Sequence, residues 1–212
     1  ARTGRLAATT GVVAQTRRLL RDQRVRELSE SFAVQWLRLD QLYTAQPDRE
    51  IFKAFYSGPQ GKDTLHAAML LEALLLFETV LVEDRSVLDF LAADYTWLNP
   101  RLARLYGFEV GRGASAAEIV AAAAAGQPNR ELRQNDRDAN HRWTRVALRD
   151  RNRGGFPTMA GPLTVTSLPF RTSPVKRGAW LLETVFNRPP QEPKVAFAVS
   201  NDTKEAAQSL SI

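Results

Sequence analysis

Three side chains in this sequence could move a proton in a catalytic step: Glu72, Asp94 and His66. Two carboxylates at a fixed separation can divide the acid and base roles, so the spacing of the acids bears on this chemistry. Glu72 and Glu78 lie six residues apart, which on a helix puts them on different faces. Glu72 is embedded in Met69-Leu70-Leu71-Glu72-Ala73-Leu74. It is expected to be partly buried and to partner an arginine or a backbone group, since no second acid sits beside it in sequence. His66 precedes that apolar run and His141 lies in a charged segment. Neither has another ligand-type residue at metal-site spacing, so no metal site is expected.

A second kind of chemistry, anion binding, is suggested by Arg171-Thr172-Ser173-Pro174-Val175-Lys176-Arg177. Ser173 as N-cap and Pro174 at the first helical position predict a helix start there, with backbone N–H groups that favour an anion. Arg171, Ser173, Lys176 and Arg177 are therefore the candidate anion- or cofactor-binding residues, with Trp180 as an apolar wall beside them. The structural alternative is a capped helix whose Arg171 and Arg177 hold neighbouring acids or carbonyls.

Several chemistries are excluded outright. The chain has no cysteine, which removes disulfides, thiolate metal sites, a cysteine nucleophile and any C-x-x-C-H haem attachment from these residues. Gly107–Gly113 lacks the Lys-Ser/Thr of a P-loop, and no G-x-S-x-G elbow occurs.

The elements that must position these residues read as helices. With 212 residues and 44% hydrophobic content, the chain can bury a sizeable core. Leu19, Leu20, Val25, Leu28, Phe32, Trp36 and Leu37 recur at helical steps from about Thr9 to Gln41, predicting two helices that break near Asp22. Asp63–Val82, capped by Asp63, is apolar over more than half its circumference and is expected to be the central helix. Its Ala67–Phe77 run is short of the roughly 20 residues of a membrane span. Ser86–Ala92 and Pro100–Tyr106 predict shorter helices, the second capped by Asn99 and stopped by Gly107. Asp94–Asn99 reads as a compact connector between them.

Beyond Gly111 the composition shifts to alanine, predicting an Ala-rich helix from Ser115 to Ala125. Asn129–Arg153 follows, with eight arginines and four acids, as a linker, insertion or solvated helix. In the helix begun by Ser173, Val175, Trp180, Leu181 and Val185 are expected to face inward, and Trp36, Tyr95, Trp97 and Trp180 to lie in the core. Three prolines within Asn187–Pro193 predict an extended exit. The fold class expected is all-α, with minor irregular or short β elements, as a helical array around a central apolar helix. The expected division is a helical domain (1–110), an Ala/Arg-rich insertion or linker (111–152), a small helical module (153–193) and a tail (194–212).

The charge is +6, carried by 24 arginines against five lysines. Acids interrupt the Arg130–Arg153 run and only Trp143 could stack on a base, so it does not read as a nucleic-acid interface. The chain begins at Ala1 without methionine or a signal-peptide core, as an excised or processed piece would.

Several phrases occur together and in order: Phe32-Ala33-Val34-Gln35-Trp36-Leu37, Asp84-Arg85-Ser86-Val87-Leu88-Asp89-Phe90-Leu91, and Asp94-Tyr95-Thr96-Trp97-Leu98-Asn99-Pro100-Arg101-Leu102-Ala103-Arg104-Leu105-Tyr106-Gly107. Arg153-Gly154-Gly155, Leu163-Thr164-Val165-Thr166-Ser167 and Arg171–Glu183 complete the series. Jointly they resemble the large secreted planctomycete-type cytochrome c proteins, in the two adjacent modules catalogued as domains of unknown function fifteen-ninety-two and fifteen-eighty-eight. The resemblance implies an extracytoplasmic or periplasmic helical module lying upstream of a C-terminal C-x-x-C-H haem segment. No cofactor is then expected within this chain, while haem c is expected in the parent protein. The partner implied is the adjacent haem domain of the same polypeptide or another redox protein, with Arg171, Lys176 and Arg177 facing its anionic edge, haem propionates included. The function expected is a non-catalytic scaffold positioning that domain for electron transfer. The alternative is a module of an extracellular enzyme acting on a glycan or other polymer, with Glu72, Asp94 or His66 as acids and bases.

Overall fold

The computed structural model describes residues 8–22, 24–56, 64–107, 143–148 and 152–191. The chain opens with helices α1 (Thr9–Leu20), α2 (Val25–Leu28) and α3 (Val34–Trp36), the last two joined by a π-helical turn at Ser29–Ala33. A 3-10 turn at Leu39–Tyr43 leads to α4 (Lys53–Tyr56) and the long α5 (Leu65–Val82). Helix α6 (Asp89–Ala92), strand β1 (Tyr95–Leu98) and α7 (Pro100–Leu105) follow. After strand β2 (Thr144–Ala147) come a 3-10 turn at Phe156–Thr158, α8 (Ala160–Val165) and α9 (Pro174–Thr184). The described structure is mostly helical, with one antiparallel two-stranded sheet.

Capping chemistry sets the main boundaries. Helix α5 starts one residue later than expected: Thr64 is its N-cap, and its side chain accepts from the Ala67 N–H. Asn99 caps α7 through the Leu102 N–H, with Pro100 in the first turn. Gly107 ends the segment at φ +71°, a backbone conformation that glycine adopts without a Cβ penalty. Ser173 caps α9 through the Lys176 N–H.

Because α5 is apolar nearly all round, it needs partners on several sides. It packs against the π-helical turn, the Leu39–Tyr43 turn, α4, α6, α7, α8 and β1. By length and composition it could cross a membrane, further than the Ala67–Phe77 run suggests, yet most of its surface is covered by these elements.

The Tyr95–Leu98 segment is a strand rather than a connector. It pairs with Thr144–Ala147 in the register Tyr95↔Ala147, Thr96↔Val146, Trp97↔Arg145 and Leu98↔Thr144. All four β1 residues are buried, so the strand has no polar alternation to betray it. Its partner was concealed inside an arginine run, where Trp143, Thr144 and Val146 are the buried positions. The expected Ala-rich helix at Ser115–Ala125, the rest of the arginine run to Arg142, His141, Asp63 and the tail after Gln191 lie outside the described residues.

Residues on both sides of the 108–142 segment share one hydrophobic cluster. Phe156, Met159, Ala160 and Trp180 join Leu37, Leu39, Leu42 and Met69 in it. Helix α9 is locked to α3 by reciprocal indole bonds: Trp36 Nε1 donates to the Thr184 carbonyl at 2.7 Å, and Trp180 Nε1 donates to the Leu37 carbonyl at 3.1 Å. Arg38 and Glu183 add an ion pair at 2.9 Å. Trp180 points inward as expected. Val175 does not: it is 83% exposed, because the inward face of α9 is set by Trp180 and Leu181, and residue 175 falls on the opposite side.

The Arg153-Gly154-Gly155 phrase has a steric cause. A Cβ on Gly155 would fall on the Leu91 carbonyl and 2.5 Å from the Phe90 oxygen, and its φ is +67°. A Cβ on Gly154 would lie 2.5 Å from the Ala93 oxygen. These glycines let the chain pass against the end of α6 and deliver Arg153 to its place. Gly155→Ala is expected to destabilise the fold by about 3 kcal/mol or more, combining left-handed strain with a backbone clash. Urea denaturation followed by circular dichroism measures it.

Candidate functional site

Glu72 is 1% exposed, more deeply buried than its sequence context suggests. Two hydroxyls are its side-chain hydrogen-bond partners, and the arginine and backbone group expected are also beside it, as the Arg153 charge and the Ala160 N–H. Thr96 Oγ1 of β1 donates to Oε1 at 2.7 Å, and the Tyr106 hydroxyl, just after α7, donates to Oε2 at 2.6 Å. The Tyr106 oxygen in turn accepts from the Ala160 N–H at the start of α8, at 2.8 Å. One carboxyl therefore ties together α5, β1, α7 and α8. A second bond, Trp97 Nε1 to Thr79 Oγ1 at 2.9 Å, pins β1 to α5 two turns further on.

Burial pushes the Glu72 carboxyl up to about 7, against the pull of the Tyr106 and Thr96 hydrogen bonds and the nearby Arg153 charge. Desolvation also raises the Tyr106 phenol, and the Glu72 charge beside it adds to the effect. On protonation Glu72 can donate to one of the two hydroxyls while the other still donates to its remaining oxygen, so the cluster stays hydrogen-bonded in either form. The space beside Glu72, bounded by Thr96, Tyr106, Arg153, Gly154 and Thr158 among others, is about 10 Å³. That suits one water and no substrate.

A much larger cleft, about 800 Å³, opens on the other side of Tyr106 and Arg153, which line both spaces. Its floor is apolar, built from Phe52, Phe55, Leu65, Met69, Leu105 and Leu163. Arg153, Arg171, Lys176 and Arg177 line it, and no acidic residue does so among the described residues. The Arg153 guanidinium stacks 4.7 Å from the centre of the Tyr106 ring. Lys176 Nζ donates to the Ser167 carbonyl at 3.1 Å, while the side chain itself is exposed.

The structure thus brings Arg171, Lys176 and Arg177 to one cleft. Ser173 stays behind as the helix cap, and Trp180 is buried under α9 with its indole committed to Leu37. Glu72, Asp94 and His66 do not meet. Asp94 is exposed at the start of β1, where its carbonyl accepts from the Leu148 N–H. His66 packs edge-on against Phe55 with ring centres 4.1 Å apart, and burial lowers its pKa. Sequence reasoning missed Tyr106, Thr96 and Arg153. The signal for Tyr106 was present: a tyrosine one residue before a helix-ending glycine, beyond a helix whose Leu102 and Ala103 are buried.

No residue set that would hold haem c occurs among the described residues. The chain has no cysteine for thioether bonds, and the one histidine among the described residues is packed on Phe55. No group of three or more potential metal ligands occurs among the described residues.

Residues 1–108 match the family model PSD4, a protein of unknown function (DUF1592). Residues 153–211 match PSCyt3, a protein of unknown function (DUF1588). No curated protein and no solved structure matches the chain.

The buried carboxyl predicts a pH dependence whose sign is fixed. Its folded pKa, about 7, lies above the ordinary 4.5, so the folded state holds the proton more tightly than the unfolded one. Its contribution is greatest below about pH 4.5 and declines as pH rises to about 7, by about 3 kcal/mol in all. Glu72→Gln should flatten that part of the profile, measured by urea unfolding from pH 4 to 8.

Proposed function

Because this chain belongs to the DUF1592 family through residues 1–108 and continues into a DUF1588 match, we propose that it is a non-catalytic helical scaffold of a secreted c-type cytochrome. It positions a neighbouring haem domain of the same polypeptide, or a redox partner, for electron transfer. In this reading α5 is the axis of the helical array, the 1–110 and 153–193 regions are its two modules, and the protein works outside the cytoplasm. The abbreviation PSCyt3 supports the association with cytochromes.

The observation that carries the reading is the cation-lined cleft with no acid among its described residues. Its rim, with exposed Lys176 and half-buried Arg171, suits the acidic face of a partner and would steer its approach. Reciprocal tryptophan bonds hold α9 in place, so the charges sit on a fixed body. Geometry weighs against a glycan hydrolase. The one buried carboxyl among the described residues lies behind Tyr106, and its two oxygens already accept hydrogen bonds.

The test uses the full-length protein, produced in a host that attaches haem c. A Soret band is expected, and carbodiimide should join Lys176 to a carboxylate of the haem module. Arg171→Glu should cut the cross-link yield several-fold, as should high salt. Absence of haem, or a cross-link indifferent to both changes, contradicts the reading.

A further inference from the structure

We propose that the interior of the cleft binds an amphipathic organic monocarboxylate, with its apolar body on the floor and its carboxylate at Arg177. This goes beyond the docking role, because it uses the inside of the cleft rather than the rim and requires only this chain.

Size and lining come first. A volume of about 800 Å³ is within the range of small-molecule sites, and the exposed lining is mostly apolar. Phe55 and Leu65 offer no polar partners and the Met69 sulfur already accepts from Thr164, so a sugar seated on them would lose its water without replacement. A hydrocarbon or aromatic body would not.

Charge comes second. Arg177 lines the cleft, and its Nε is shielded from solvent with no hydrogen-bond partner among the described residues. A buried donor left unpaired costs about 1–3 kcal/mol, which an arriving acceptor removes. Arg177 forms no ion pair among the described residues, whereas Arg153 has the Glu72 carboxyl as a neighbour on the far side of Tyr106. Arg153 lies over the Tyr106 ring, which places a second positive charge in the same wall. The end of α9 is not the anchor, since the Lys176 N–H is already taken by Ser173.

The ligand class follows from these two features together. A planar carboxylate matches the guanidinium fork, and the floor rewards an attached apolar body. Inorganic phosphate would satisfy the charge and leave the floor uncovered.

The experiment is calorimetric titration of the full 212-residue chain with octanoate, and separately with 1-octanol. Saturable one-to-one binding of octanoate is expected, at least about tenfold tighter than octanol, as a charge-assisted hydrogen bond implies. Arg177→Met should weaken octanoate about tenfold or more. Thr172→Glu, at an exposed position on the cleft wall, should do the same without touching the core. Equal affinity for octanol, no saturable binding, or unchanged affinity in a variant that circular dichroism shows to be folded overturns the proposal. No haem module is present in this assay, so its failure leaves the cross-linking test of the docking role standing, and the reverse holds too.

Discussion

The fold depends on how one buried carboxyl is satisfied. Glu72 sits on the apolar helix α5, where an unpaired acid would cost several kcal/mol whether ionised or neutral. Two hydroxyls meet it, one from β1 and one from the end of α7, and the second passes a hydrogen bond on to the first N–H of α8. Each partner comes from a different element, so none can leave without orphaning the rest. The cluster also fixes the side chain that divides the tiny internal cavity from the large cleft. Tyr106 is both a hydrogen-bond relay inward and a wall outward.

The cleft inherits its rigidity from that cluster and from the tryptophan pair. Arg153 is placed by two glycines that run against α6 and by stacking on Tyr106. Arg177 and Lys176 are placed by α9, whose indole bonds return to α3 and the residue after it. The cations of the cleft therefore arise from separate parts of the chain but share one scaffold. Together they give the cleft a cationic lining with no acid among its described residues.

Much of this was legible in the residues. Asn99-Pro100 and Ser173-Pro174 announce helix starts because a capping oxygen and a proline at the first position leave little else for the backbone to do. The aromatic residues Tyr95, Trp97 and Trp180 were recognisable as core. The strand pair was not, because β1 is buried on both faces and its partner is hidden in an arginine-rich run. The tie between Glu72 and Tyr106 was equally hidden, since the two are 34 residues apart and only tertiary packing aligns them. The cationic cleft was half visible: Arg171, Lys176 and Arg177 stood out, while Arg153 belonged to a glycine phrase with no obvious chemical role. Asp63 as the cap of α5 was off by one residue, because Thr64 carries a competent side-chain oxygen in the adjacent position.

The most direct measurement is the titration of the Glu72 side-chain carboxyl by carbon-13 NMR, with the resonance assigned by comparison with Glu72→Gln. A midpoint close to 7 is expected, shifted by burial among hydroxyls that serve either protonation state. A midpoint near 4.5, the ordinary value, would mean that water reaches the carboxyl and that the four elements are not held together through it.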